Sequence, residues 1–136
     1  MDNKFYITFK TAKLLKEKGF NKAVDKLIHL NKYNIPIIES PENYYDETEV
    51  YNDYKYLKQN HYACPTKSEV IDWLESNGML IEISIDIDEC AWIFNIVDKE
   101  KFITIGHSKD GKSFTDRLEA EEAAIIKACE LLENGN

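Results

Sequence analysis

Between Asn43 and Cys64 the chain reads NYYDETEVYNDYKYLKQNHYAC. Six of its eight tyrosines fall there, interleaved with Asp46, Glu47, Glu49 and Asp53, and the run closes on His61 and Cys64. Two kinds of chemistry can use such a stretch. A thiol beside an imidazole could serve as a nucleophile with its base, but hydrolytic catalysis also needs a third group to orient the base, and the spacing marks none. One Cys and one His without a second cluster also make a poor zinc site. The other use is recognition. Tyrosine brings a large contact area at low entropy cost, so Tyr44, Tyr45, Tyr51, Tyr54, Tyr56 and Tyr62 either tuck against apolar surface or present an interface. Turned outward, the same rings could line a nucleotide pocket whose phosphates meet lysines near the N-terminal helix.

The remaining reactive residues are scattered. Glu82, Asp86, Asp88 and Glu89 lie close in sequence. Their spacing fits no calcium loop and reads as the wet face of a strand. His29 and His107 sit in no motif, and the five glycines form no phosphate-cradling loop. The expectation is a protein that is not an enzyme and takes no cofactor or metal.

At 136 residues with 43% hydrophobic composition, the chain is long enough for a real core. Its net charge of −8 is uneven: residues 66–136 hold 7 Lys+Arg against 16 Asp+Glu, whereas residues 1–65 hold 10 against 9. An acidic half repels phosphate backbones and is drawn to basic protein surfaces. Cys64, Cys90 and Cys129 form no disulfide-like pattern. The N-terminus does not resemble a signal peptide, and no apolar run reaches a membrane span. These features suggest a cytoplasmic protein with reduced thiols and no membrane partner.

Several elements can be placed from periodicity. Thr8 caps a helix running to about Lys18, where Gly19 stops it. Residues 21–30 fit helix or strand equally, and residues 35–39 read as an edge strand because Pro36 cannot donate to a ladder. Thr66-Lys-Ser-Glu69 is a capping box opening a helix to about Asn77, with Val70, Ile71, Trp73 and Leu74 on one face and Gly78 at its end. Ile81, Ile83, Ile85 and Ile87 then alternate with Glu82, Ser84, Asp86 and Asp88, which is a half-buried strand. Residues 91–98 form the next strand, apolar on both faces, and residues 101–107 a third. Asp110-Gly111 is a further hairpin signal.

The last helix spans roughly residues 113–133. At 100° per residue it gathers Glu119, Glu122, Glu130 and Glu133 into one stripe, opposite Ala120, Ala124, Ile125, Ala128, Leu131 and Leu132. Ile126 falls inside the glutamate stripe. An apolar knob with an acidic rim suits a basic partner or a second copy of the chain.

The expected fold is α+β: a three- to four-stranded antiparallel meander flanked by helices, with helix-β-β-β-helix order in the C-terminal half. The chain reads as one domain, residues 1–136, with an N-terminal helix and tyrosine segment over 1–65 and the α-β-β-β-α core over 66–136. That order is also the order of double-stranded-RNA-binding domains. The acidic opening EAEEA of the final helix argues against direct nucleic-acid binding.

Two stretches, ITFKTAKLLKEKGF (7–20) and ACPTKSEVIDWL (63–74), followed by an Ile-rich strand and a closing helix, resemble small uncharacterised proteins of Bacteroidetes phages and prophages. The resemblance implies that the cell is a bacterial host and the protein a host-defence inhibitor, of the kind that includes anti-CRISPR proteins. Its implied partner is a host protein with a basic nucleic-acid-binding surface, such as a CRISPR effector nuclease. On this reading the contact residues are Tyr44, Tyr45, Tyr51, Tyr54, Tyr56, Glu119, Glu122, Ile126 and Glu130. The alternative within the same context is a protein that sequesters a small molecule or nucleotide.

Overall fold

A computed structural model describes residues 3–108 and 113–132. It shows an α+β architecture of three helices and two three-stranded antiparallel sheets, which divide between two compact units, residues 1–66 and 67–133.

In the first unit, helix α1 (Phe9–Glu17) starts where the Thr8 hydroxyl accepts the Thr11 amide. Gly19 takes φ +92 at its end, a left-handed conformation that glycine adopts without Cβ strain. Strand β1 (Leu27–Leu30) resolves the ambiguity over residues 21–30 in favour of strand. Leu27 and Ile28 are consecutive and both buried, so no alternation betrays the strand in sequence. β1 pairs with the edge strand β2 (Pro36–Glu39) on one side and the two-residue β3 (Tyr62–Ala63) on the other. The β1–β2 turn is fixed by the Asn31 side-chain oxygen, which accepts the Tyr33 and Ile35 amides at 2.8 and 3.0 Å.

In the second unit, helix α2 (Lys67–Ser76) buries Val70, Trp73 and Leu74 and ends before Gly78, at φ +90. Strands β4 (Met79–Asp86), β5 (Ala91–Asp98) and β6 (Thr104–His107) form a meander in the order β4-β5-β6. Its register sets Ile81 opposite Ile96 and Ile83 opposite Phe94, placing the isoleucine face beside two buried residues of the central strand. That face runs out past Ile83, since Ile85 and Ile87 are exposed. The β5–β6 turn is capped by Asp98, whose carboxylate accepts the Glu100 and Lys101 amides. The turn puts Phe102 at φ +55 with 76% of its surface exposed. The hairpin signal at Asp110-Gly111 lies outside the described residues.

Helix α3 (Arg117–Leu131) begins at Asp116, whose carboxylate accepts the Leu118 amide at 2.8 Å. Ala120, Ala124, Ile125, Ala128 and Cys129 are buried along it. The stripe on its other side differs from the helical projection. Glu119 and Glu130 are exposed, but Glu122 is largely covered and lies 3.6 Å from the buried Lys67 ammonium. Ile126 is half-buried, because Phe94 and Phe114 rise beside that face of the helix and extend its apolar side. Together with Ala123 they line a cleft of about 200 Å³ that Lys127 and Glu130 rim. Leu131, expected in the core, is instead partly exposed.

Candidate functional site

The tyrosine segment has almost no regular structure, yet it is tied down at several points. Buried Val50 makes a two-way backbone bridge with Val24, at 2.8 and 2.9 Å. Buried Asn52 donates to the Phe20 carbonyl and accepts the Ala63 amide, both at 2.9 Å. The Asp53 amide donates to the Asn21 side-chain oxygen. A loop this long holds one shape only where such bonds offset its chain entropy.

On this frame the rings form a ladder. Tyr54 meets Tyr51, Tyr56 and Tyr45 edge-on at 5.9, 5.7 and 5.7 Å between centroids. Tyr45 continues to Tyr44 at 6.3 Å. Edge-to-face pairs of this kind each contribute on the order of 1 kcal/mol beyond burial. Tyr45 points inward and is 8% exposed, while Tyr44, Tyr51 and Tyr56 are 37%, 41% and 63% exposed. Around them Glu42, Asp46, Glu47, Glu49 and Asp53 are all exposed. Lys58 and Lys55 lie over the Tyr44 and Tyr56 rings at 4.7 and 4.8 Å. Tyr62 stands apart from the ladder, edge-on to Phe9 at 5.4 Å.

The inner end of the ladder meets a polar cluster invisible in the sequence. The His29 and His61 rings stack at 4.5 Å, with Tyr44 edge-on to both. His29 Nε2 donates to Glu39 Oε2 at 2.9 Å. The Tyr44 hydroxyl, 3.2 Å from the same nitrogen, gives its own proton to the Glu39 carboxylate. Those two bonds, from Tyr44 first and His29 second, hold Glu39 below its ordinary pKa, and the carboxylate correspondingly raises that of Tyr44. The Tyr54 hydroxyl is also raised, by burial first and then by Glu47. On the far side, Tyr45 Oη accepts the Lys58 amide at 2.9 Å and lies 3.2 Å from His61 Nδ1. Burial, then His29 and Lys58, depress the His61 pKa.

Tyr44, Tyr45, Tyr51, Tyr54 and Tyr56 thus form one array in the first unit, whereas Glu119, Glu122, Ile126 and Glu130 belong to α3 of the second. His29 and Glu39 are members that sequence reasoning missed, and their only signal was position on adjacent strands. Cys64 is buried with its thiol donating to the Ile7 carbonyl, while His61 is engaged by Tyr45. Among the described residues, no group of three or more His, Cys, Asp or Glu side chains is placed to hold a metal ion. No protein family, characterised protein or solved structure matches the chain.

Proposed function

We propose that this chain is a non-enzymatic binding protein whose tyrosine ladder docks on a basic surface of a partner protein. One observation carries the reading: exposed Tyr51 and Tyr56 stand edge-on to Tyr54, and exposed Tyr44 stands edge-on to His29 and His61, with exposed carboxylates around them. Rigid aromatic anchors inside a charged rim are how affinity concentrates in protein interfaces. An arginine-bearing surface suits both parts, since guanidinium stacks on tyrosine and pairs with carboxylate. The −9 balance of residues 66–136 adds attraction to such a surface at longer range. The phage-protein resemblance narrows the partner to a host nucleic-acid-handling enzyme of the CRISPR effector kind, met in the bacterial cytoplasm.

The test is target-DNA cleavage by such an effector nuclease, with the protein added in increasing amounts. Inhibition is expected. Tyr51→Ala combined with Tyr56→Ala should weaken it at least tenfold while the protein stays folded, its melting temperature lowered by no more than the loss of the two ring pairs with Tyr54 accounts for. The on-rate should also fall as salt rises, since screening shortens to ~8 Å at physiological ionic strength. Full inhibition by the double variant, or a salt-independent on-rate, counts against this surface. The lysines over Tyr44 and Tyr56 are also what nucleotide phosphates would need. A thermal shift with one nucleotide of a panel, and no effect on the nuclease, would favour sequestration instead.

A further inference from the structure

We propose that His61 is an acid-sensitive latch on the tyrosine surface: taking up a proton unfastens Tyr45 and loosens the segment that carries the exposed rings. The inference rests on the docking reading for its consequence, whereas the latch itself is a property of the free protein.

The argument starts from one hydroxyl. Tyr45 Oη accepts the Lys58 amide, so its single proton is available for another acceptor. The acceptor within reach is His61 Nδ1, at 3.2 Å, and the residue is too buried for water to substitute freely. This assigns His61 as the neutral ring with its proton on Nε2. A second proton would have to sit on Nδ1, facing the Tyr45 oxygen. Tyr45 would then face two donors, its own proton would lose its acceptor, and a buried polar hydrogen would be stranded.

The surroundings oppose the charge as well. The His29 ring from β1 lies parallel to His61 at 4.5 Å, and the Lys58 ammonium sits over Tyr44, itself 5.2 Å from His61. Glu39 on β2 is the group that favours the charge, but it is already engaged by His29 and Tyr44. When the segment opens, the ring is freed to titrate near its ordinary value of 6.5. For one proton, opening then becomes favoured by up to about tenfold for each pH unit below that value, until the lowered pKa of the closed segment is reached. Between pH 6.5 and 4.5, the ordinary value of Glu39, His61 is the group whose depressed pKa drives the change. Docking would accordingly weaken with acid, because the fixed array of rings is what binds.

Amide hydrogen exchange measured by NMR tests the latch on the protein alone. After correction for intrinsic rates, protection of the Lys58 amide should fall as pH drops below 6.5, by at most about tenfold per unit, and level off once His61 in the closed segment is itself protonated. The Ala12 amide, bonded to the Thr8 carbonyl within α1, should hold. His61→Gln offers Tyr45 an acceptor that does not titrate, so it should abolish the slope. A flat wild-type profile, or a slope surviving in His61→Gln, overturns the latch. If that variant does not fold, the wild-type His61 and Tyr45 ring signals decide: they titrate together if the latch is real and independently if it is not. An arginine-rich peptide titrated in parallel reports on docking separately. Its failure to bind at any pH would count against the docking surface, and the exchange data would still judge the latch.

Discussion

Tyr45 carries more of the site than its neighbours because its one hydroxyl meets both the Lys58 amide and the His61 ring. Removing it leaves the Lys58 amide without its acceptor and His61 Nδ1 without its donor, while the ring keeps its packing. Tyr45→Phe should therefore cost about 1–2 kcal/mol in urea unfolding, more than a typical exposed phenol. Tyr56→Phe, at an exposed ring, should be near neutral in the same measurement. At this scale the sequence was half legible. The enrichment in tyrosine was plain, but not which ring turns inward. His29, Glu39, Tyr44 and His61 meet only because β1 pairs with both β2 and β3, and strands of two to four residues leave no pattern from which that register could be read.

Elements with a clear period were the ones that could be placed in advance. α2, β4 and β5 follow their apolar patterns and glycine stops closely, since one apolar face decides α2 and β4 and an apolar run on both faces decides β5. α3 was placed correctly, but its exposed side was misjudged at Glu122 and Ile126. A helical projection assumes a single apolar neighbour, whereas here Lys67, Phe94 and Phe114 cover part of the supposed outer face. The β5–β6 turn holds a different kind of surprise. Phe102 occupies a left-handed position at φ +55, which costs a bulky residue roughly 1 kcal/mol, and its exposed ring recovers little by burial. Phe102→Gly should thus raise unfolding stability by about 0.5–1 kcal/mol. A loss of that size would mean that the ring makes contacts worth more than the strain.

For the whole molecule, the depressed and raised groups of the first unit set the direction of its pH response. Glu39 lies below its ordinary 4.5, so its contribution is complete above that value and is lost as pH falls through the folded value. His61 lies below 6.5, so the unfolded chain takes up its proton first and stability declines as pH falls below 6.5. Tyr44 lies above 10, so its contribution is complete below that value and disappears as pH rises through the folded one. The urea midpoint should begin to fall near pH 6.5 and steepen below 4.5. In His61→Gln the first of those stages should vanish. The division into halves by charge was visible in composition alone, and the change of unit falls between Thr66 and Lys67, at the start of α2.

The tethers of the tyrosine segment also govern what a broken backbone would do. Trypsin cuts after lysine, and Lys55 and Lys58 are both exposed within the segment. A cut there severs no anchor. Val50 and Asn52 stay bonded upstream to Val24 and Phe20, and β3 stays paired with β1 downstream. The two pieces remain held by strand pairing and by the amide of Ala63 on Asn52. The protein is in this sense already divisible near residue 57, into one fragment that carries β1 and β2 and another that carries the β3 strand completing their sheet.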